Sequence, residues 1–199
     1  MPIKPSIRGL ISNYPYAWTL GLQARRRLNR LLRRPFNGEF RVLEKIALPE
    51  GTVIADIGAN VGEAVEAFRL FKPDMAIAAF EPAAATFAQL DASTRHLQGV
   101  ERHNVALGAA PGGFTLYTPV FKGVPLSPLA SIDRDEAAEW LSKFASPNLD
   151  PAKLQVAEEQ VEVRTLDSYG YPVSLMKLDV QGAEKQVLEG AVDTMRAHA

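Results

Sequence analysis

The chain has 199 residues, 47% of them hydrophobic, a formal net charge of -1 and no cysteine. That length suits one α/β domain with a substantial core and excludes wholesale disorder. The near-zero charge excludes a global field that recruits nucleic acid; the missing cysteines exclude a disulfide scaffold and a thiolate zinc site, and fit a reducing compartment.

The opening stretch, MPIKPSIRGLISNYPYAW, has no long apolar core and no small-residue cleavage site, so no signal peptide is expected. No apolar run approaches the ~18–20 residues of a membrane span, and the expected location is the cytoplasm. The stretch LQARRRLNRLLRRPF then packs six arginines between Arg25 and Arg34. Leu28, Leu31 and Leu32 fall on one side at helical spacing, and Pro35 stops the helix. Two readings stand side by side: an amphipathic helix covering an edge of the domain, or a basic surface for an anionic membrane, an acidic glycan or a phosphorylated substrate. Residues 1–43 thus read as an Arg-rich helical extension and 44–199 as the domain proper.

From Glu44 onward strands and helices alternate. Thr52–Ile57 reads as a nearly all-apolar strand, and a helix follows from Gly62 to Phe71 with Val61, Val65 and Phe68 on one face. Met75–Glu81 is the second strand, AAATFAQLDAS the second helix and VERHNVALG the third strand. GGFTLYTP and QVEVRTLD read as further strands, Ser174–Val180 as another buried one, and AEKQVLEGAVDTMRA as the last helix. Strands this apolar have no wet face, which predicts a mostly parallel, doubly wound sheet covered on both sides. Residues 119–160 interrupt the pattern with Pro119, Pro125, Pro128, Pro147 and Pro151, and enclose a helical stretch at Asp133–Phe144. This insertion reads as a lid over one end of the sheet or as a packing or dimerisation element.

The chemistry concentrates at strand ends. In Asp56-Ile57-Gly58-Ala59-Asn60-Val61-Gly62 a strand ends in an acid and passes through a two-glycine turn into a helix. A dinucleotide fingerprint would read G-x-G-x-x-G around a pyrophosphate. Here Asn60 replaces the second glycine, and an acid at Asp56 repels a pyrophosphate while attracting a cation such as an α-amino group. Glu81-Pro82 ends the second strand 19 residues after Gly62, close to the ~20-residue spacing at which an acid meets ribose hydroxyls. The pocket therefore suits an adenosine that carries an amino acid, as S-adenosyl-L-methionine does; an acid that only caps a helix explains either residue singly. LMKLDVQGAEKQVLEGA repeats the device, with Asp179 at the strand end, Gly182 in the turn and Glu184 in the first helical turn. Asp179 is a candidate to orient a methyl donor or accept a hydroxyl proton, or else a cap; Glu184 pairs with the helix dipole or joins Asp179. His96, His103 and His198 sit in no recognisable motif, and Asp167 in TLDSY reads as a turn cap or a substrate contact.

Taken in order, VIADIGANVGEAVEAF, AFEPAAATFAQL, NVALG, VRTLDSY and LMKLDVQGAEKQVLEGA resemble the blocks of the FkbM family of S-adenosylmethionine-dependent methyltransferases, from about Val53 to Ala191. The resemblance implies a class I methyltransferase (Rossmann-like) α/β fold and O-methylation of a hydroxyl on a sugar, glycan or secondary metabolite. By position it implies that Asp56, Gly58, Ala59, Asn60 and Gly62 bind the methionine end, that Glu81 and Pro82 bind the ribose, and that Asn104 and Ala106 lie near the adenine. Asp179 and Glu184 match the family's acidic pair. The family fold continues with further core strands, which this chain, stopping at DTMRAHA, is expected to lack; either the sequence is a fragment, or another chain of a homo-oligomer or the N-terminal segment covers the sheet edge. A divalent metal at the catalytic acid has no diagnostic ligand spacing behind it. A cofactor-binding regulatory remnant and a nicotinamide-dependent oxidoreductase are the competing functions, the second opposed by Asp56 and Asn60.

Overall fold

The computed structural model describes residues 20–21, 24–26, 28–29, 31–121, 123–126, 129–144 and 154–197. The expectations placed on the first 18 residues, on Arg27 and Arg30, on Pro128, Pro147 and Pro151 and on His198 lie outside these. Contacts divide the chain into two compact units, residues 29–113 with 161–199, and residues 1–28 with 114–160.

The larger unit holds a parallel four-stranded sheet of β1 (Val53–Ile57), β2 (Ala76–Phe80), β3 (Val100–His103) and β8 (Val173–Leu178), in the order β3-β2-β1-β8. α1 (Glu63–Phe71) joins β1 to β2, and α2 (Ala84–Thr94) joins β2 to β3. The chain winds outward from β1 through β2 to β3, then returns to β1's other side as β8. The strand order therefore switches between β1 and β8, and in such sheets the ligand crevice opens there, at the carboxyl ends. Every residue of β1 is buried because each face has its own core. Val53, Ala55 and Ile57 pack with Ala78, Phe80, Leu166 and Val187 on one face. Ile54 packs with Ile77, Ala79, Val65, Phe68 and Leu90 on the other. A 3-10 helix at Gly38–Lys45 closes this second face through buried Leu43 and an edge-on Phe40–Phe68 contact at 5.9 Å.

Strand alternation also sets the chemistry. Asp56 follows Ile54 two residues on, Glu81 follows Ala79, and Lys177 and Asp179 follow Leu175; a period of two puts all four on the face that α1 covers. Three expected elements have bounds that differ from their sequence patterns. The third strand breaks at Asn104, whose side-chain amide donates to the carbonyls of Glu81 (2.9 Å) and Pro82 (2.8 Å); the chain resumes as β4 (Ala106–Leu107), paired in parallel with Val163 and Arg164 of β7 (Leu154–Arg164). The strand read at QVEVRTLD begins earlier, at Leu154, and ends at Arg164, giving way to a 3-10 helix at Leu166–Tyr169. The last helix is two: α4 (Glu184–Glu189) and α5 (Val192–Ala197), split at Gly190.

The remaining strands belong to a separate sheet. β5 (Gly112–Phe121) neighbours β7 on one side and β6 (Val124–Pro125) on the other, antiparallel to β6 through Val120–Pro125 and Phe121–Val124. Tyr117 bridges Ser131, and the Gln160 amide donates to Thr115 Oγ1 at 2.8 Å. The helix expected in the insertion is α3 (Arg134–Phe144), with Asp133 Oδ1 accepting from the amides of Asp135 (2.8 Å) and Glu136 (3.1 Å). Among the described residues no helix is long and apolar enough to cross a membrane. Residues 24–26, 28, 29 and 31 are helical as the arginine-rich spacing predicts, but Leu28, Leu31 and Leu32 are exposed rather than packed on an edge.

Candidate active site

The β1–α1 turn is wedged between the ends of β2 and β8. The amides of Gly58 and Ala59 both donate to the Phe80 carbonyl, at 3.0 and 2.9 Å. Gly58 has φ +75°, and a Cβ built there would stand 2.1 Å from the Asp179 carbonyl oxygen, so β8 approaches the turn as only glycine permits. Asn60 takes a left-handed conformation, φ 49°, which asparagine tolerates better than most side chains. Its backbone amide donates to Glu81 Oε2 at 2.9 Å. The residue that replaces a dinucleotide-type glycine thus serves the turn through its backbone. Gly62 (φ +91°) then leads into α1, with Thr94 and Leu90 of α2 against it.

The charged side chains converge beside this turn. Asp56 is fully buried and stands directly opposite Lys177 in the β1–β8 register. Lys177 Nζ lies 3.1 Å from Asp56 Oδ1, an ion pair without hydrogen-bond alignment, and no hydrogen bond reaches either oxygen of the Asp56 carboxylate. Lys177 Nζ also donates to the Gly58 carbonyl at 2.8 Å and stands 3.7 Å from Asp179 Oδ2. Burial pushes the Asp56 carboxyl above its ordinary range, Lys177 pulls it back, and Asp179 adds to the rise. Burial likewise raises Glu81, against the amides of Ala83 and Asn60 that donate to its two oxygens.

Of the residues expected at the site, Asp56, Gly58, Ala59, Asn60, Gly62, Glu81 and Asp179 come together at the carboxyl ends of β1, β2 and β8. Pro82 and Asn104 adjoin Glu81, tied by the two Asn104 hydrogen bonds, and Ala106 opens β4 two residues later. Glu184 turns to its own loop: its carboxylate accepts from the Gly182 amide at 3.0 Å and closes the turn that holds Gln181 at φ 53°. Backbone amides, its own and that of Gly182 first, hold its carboxyl below the ordinary range. Asp167 is a cap, though not of the turn that follows it. Its carboxylate accepts from the Thr194 amide and hydroxyl, both at 2.7 Å, and from the Asp193 amide at 3.1 Å, at the start of α5. His103 stacks on Phe80 at 4.8 Å and shares a 3.0 Å hydrogen bond with the Tyr171 hydroxyl, which donates to Glu101 at 2.5 Å; burial lowers the imidazole.

Lys177 is the residue that sequence reading missed. Its signal was a lone cation inside the mostly apolar run LMKLDV, two residues before Asp179, but its meaning depends on β8 lying beside β1. A buried acid paired with a part-exposed lysine, a glycine turn without side-chain bulk and a second acid at the next strand end fit a nucleoside bearing a charged amino-acid group.

The comparisons with known proteins give the family. The family model described as "Methyltransferase FkbM domain" matches residues 56–199. The chain is 33% identical over 156 residues to "Methyltransferase 1" of Beauveria bassiana (strain ARSEF 2860), an alignment covering 73% of this chain and 60% of that protein. It is 30% identical over 177 residues to "AMB antimetabolite synthetase AmbE" of Pseudomonas aeruginosa, covering 76% of this chain and 8% of that much longer protein.

Proposed function

The chain belongs to the FkbM methyltransferase family, and from that premise we propose that it transfers the methyl group of S-adenosyl-L-methionine to a hydroxyl oxygen on a sugar, glycan or other small metabolite. One observation carries the reading. The glycine turn after β1 is flanked by acids at the ends of three neighbouring strands, Asp56, Glu81 and Asp179. That is the charge pattern for an adenosine with an amino-acid tail, and it is hostile to a pyrophosphate.

The cofactor, when bound, supplies a methyl carbon already activated by positive sulfur, so the protein's share is positioning and proton management. The turn from Asp56 through Gly58, Ala59, Asn60 and Gly62 takes the methionine end. Glu81 and Pro82 take the ribose, and Asn104 and Ala106 border the adenine. Asp179, two-thirds exposed at the crevice, accepts the proton of the attacking hydroxyl. Glu184 holds the loop that presents Asp179, through its bond to the Gly182 amide. Among the described residues no group of three or more His, Asp or Glu side chains is placed to hold a metal ion.

Calorimetric titration tests the reading. Micromolar binding of S-adenosylmethionine and S-adenosylhomocysteine, with none of NADH, is the expected result. Asp56→Ala, which removes the anion under the turn, weakens that binding by roughly ten- to a hundredfold. A folded chain that binds NADH, or neither adenosyl compound, would overturn the reading.

A further inference from the structure

Asp56 faces inward. Its side chain is 0% exposed, that of Lys177 beside it 25%, and that of Asp179 beyond it 68%. Going outward from the core, the order is carboxylate, ammonium, carboxylate. The member of the buried pair that reaches the crevice is therefore Lys177, and Asp56 stands behind it. Lys177 is held from two sides, by Asp56 Oδ1 at 3.1 Å and by the Gly58 carbonyl at 2.8 Å. An ammonium has three N–H groups, and Asp179 Oδ2 at 3.7 Å is beyond hydrogen-bond length. Lys177 thus keeps donor capacity for an incoming oxygen. A cation fixed by a buried anion and a backbone carbonyl is a preorganised seat for an oxyanion.

We propose, resting on the S-adenosylmethionine reading above, that Lys177 binds the α-carboxylate of the cofactor's amino-acid moiety, and that Asp56 is the positioning residue that holds Lys177 there. The location decides which anion it is. Lys177 is bonded to Gly58, the first glycine of the turn that receives the amino-acid end, rather than to the Glu81 side of the site. The effect of Asp56 on cofactor binding then runs through Lys177, since the Asp56 carboxylate itself is shut off from solvent.

The test is calorimetric titration of the full chain with three ligands: S-adenosylhomocysteine, its decarboxylated analogue and 5′-methylthioadenosine, which lacks the amino-acid group. Wild type is expected to bind S-adenosylhomocysteine roughly ten- to a hundredfold tighter than the decarboxylated analogue, the range for one charge-assisted bond. Lys177→Met is expected to bind those two alike, with its affinity for methylthioadenosine within about twofold of wild type, the scatter expected of a group that touches neither. A Lys177→Met variant that keeps the wild-type preference for the carboxylate, or a wild type without one, overturns the proposal and leaves the methyltransferase reading standing. Wild type that binds none of the three overturns both. Melting curves accompany each titration. If Lys177→Met does not fold, because it orphans a buried charge, the double variant Lys177→Met, Asp56→Asn removes that charge and carries the same comparison.

Discussion

At the scale of single residues, the site depends on how closely two backbones meet. Gly58 combines a left-handed φ with the approach of the Asp179 carbonyl, so a methyl group there faces both a strained backbone and a rigid backbone atom 2.1 Å away. Gly170 has a similar φ of +64° and open space around it. The pair separates conformational strain from steric exclusion. Gly170→Ala should cost about 1 kcal/mol, the strain alone, and leave cofactor affinity unchanged. Gly58→Ala should cost more than that, on the order of 2–3 kcal/mol, because β1 or β8 must move. It should also abolish binding of S-adenosylhomocysteine, since the movement displaces both Asp179 and the anchor of Lys177. Urea denaturation and calorimetry on the two variants check this. Equal losses of stability would mean that the approach of β8 is not what reserves the position for glycine.

At the scale of elements, the end of the chain is held by a residue far away in sequence. α5 is only six residues long, too short to persist by its own propensity. Asp167 supplies its N-terminal acceptor from the 3-10 helix, taking the amides of Asp193 and Thr194 and the Thr194 hydroxyl. Removing it in Asp167→Ala should cost about 1–2 kcal/mol, the usual worth of a cap, and lower the melting temperature by a few degrees. Thermal unfolding followed by circular dichroism measures it, and an unchanged midpoint would deny Asp167 this role. The same contact shows why element boundaries were only partly legible. AEKQVLEGAVDTMRA reads as one helix by periodicity, and its division at Gly190 is supported by a cap from 26 residues upstream that no local pattern announces. The break of the third strand at Asn104 is of the same kind, since it answers to carbonyls at the end of β2. What was legible was local: the strand–turn–helix units at Asp56–Gly62 and Asp179–Gly182, and the apolar strands between them. The pairing of Asp56 with Lys177 was not, because it exists only through the β1–β8 register.

At the scale of the whole molecule, the buried acids set how folding responds to pH. Asp56 and Glu81 have carboxyls raised by burial above their ordinary values of 3.8 and 4.5. In the window between those ordinary values and the raised ones, the folded chain binds more protons than the unfolded chain. Stability from this source is complete below the ordinary values and is lost as pH rises through the raised ones. Asp167 runs the other way. Partial burial works against its ionisation, but the bonds from Thr194 and Asp193 prevail and hold it below 3.8, so its contribution is present above that value and lost as pH falls through the lowered one. Mild acidification from neutrality should therefore maintain or raise the urea midpoint, with the decline starting only in the lower window. Glu81→Gln isolates one contributor. Glutamine cannot ionise, and one of its two amide-facing positions becomes a donor opposed to a donor, so the variant is less stable than wild type. As pH falls from neutrality toward the ordinary value of 4.5, wild type should gain further on the variant, because only wild type takes up the proton at this position. Parallel urea titrations from pH 7 down to pH 4.5 give the comparison. A wild type that instead loses ground to Glu81→Gln over that interval would show that the amides of Asn60 and Ala83 outweigh burial and hold Glu81 as a carboxylate, ready to accept hydrogen bonds throughout the neutral range.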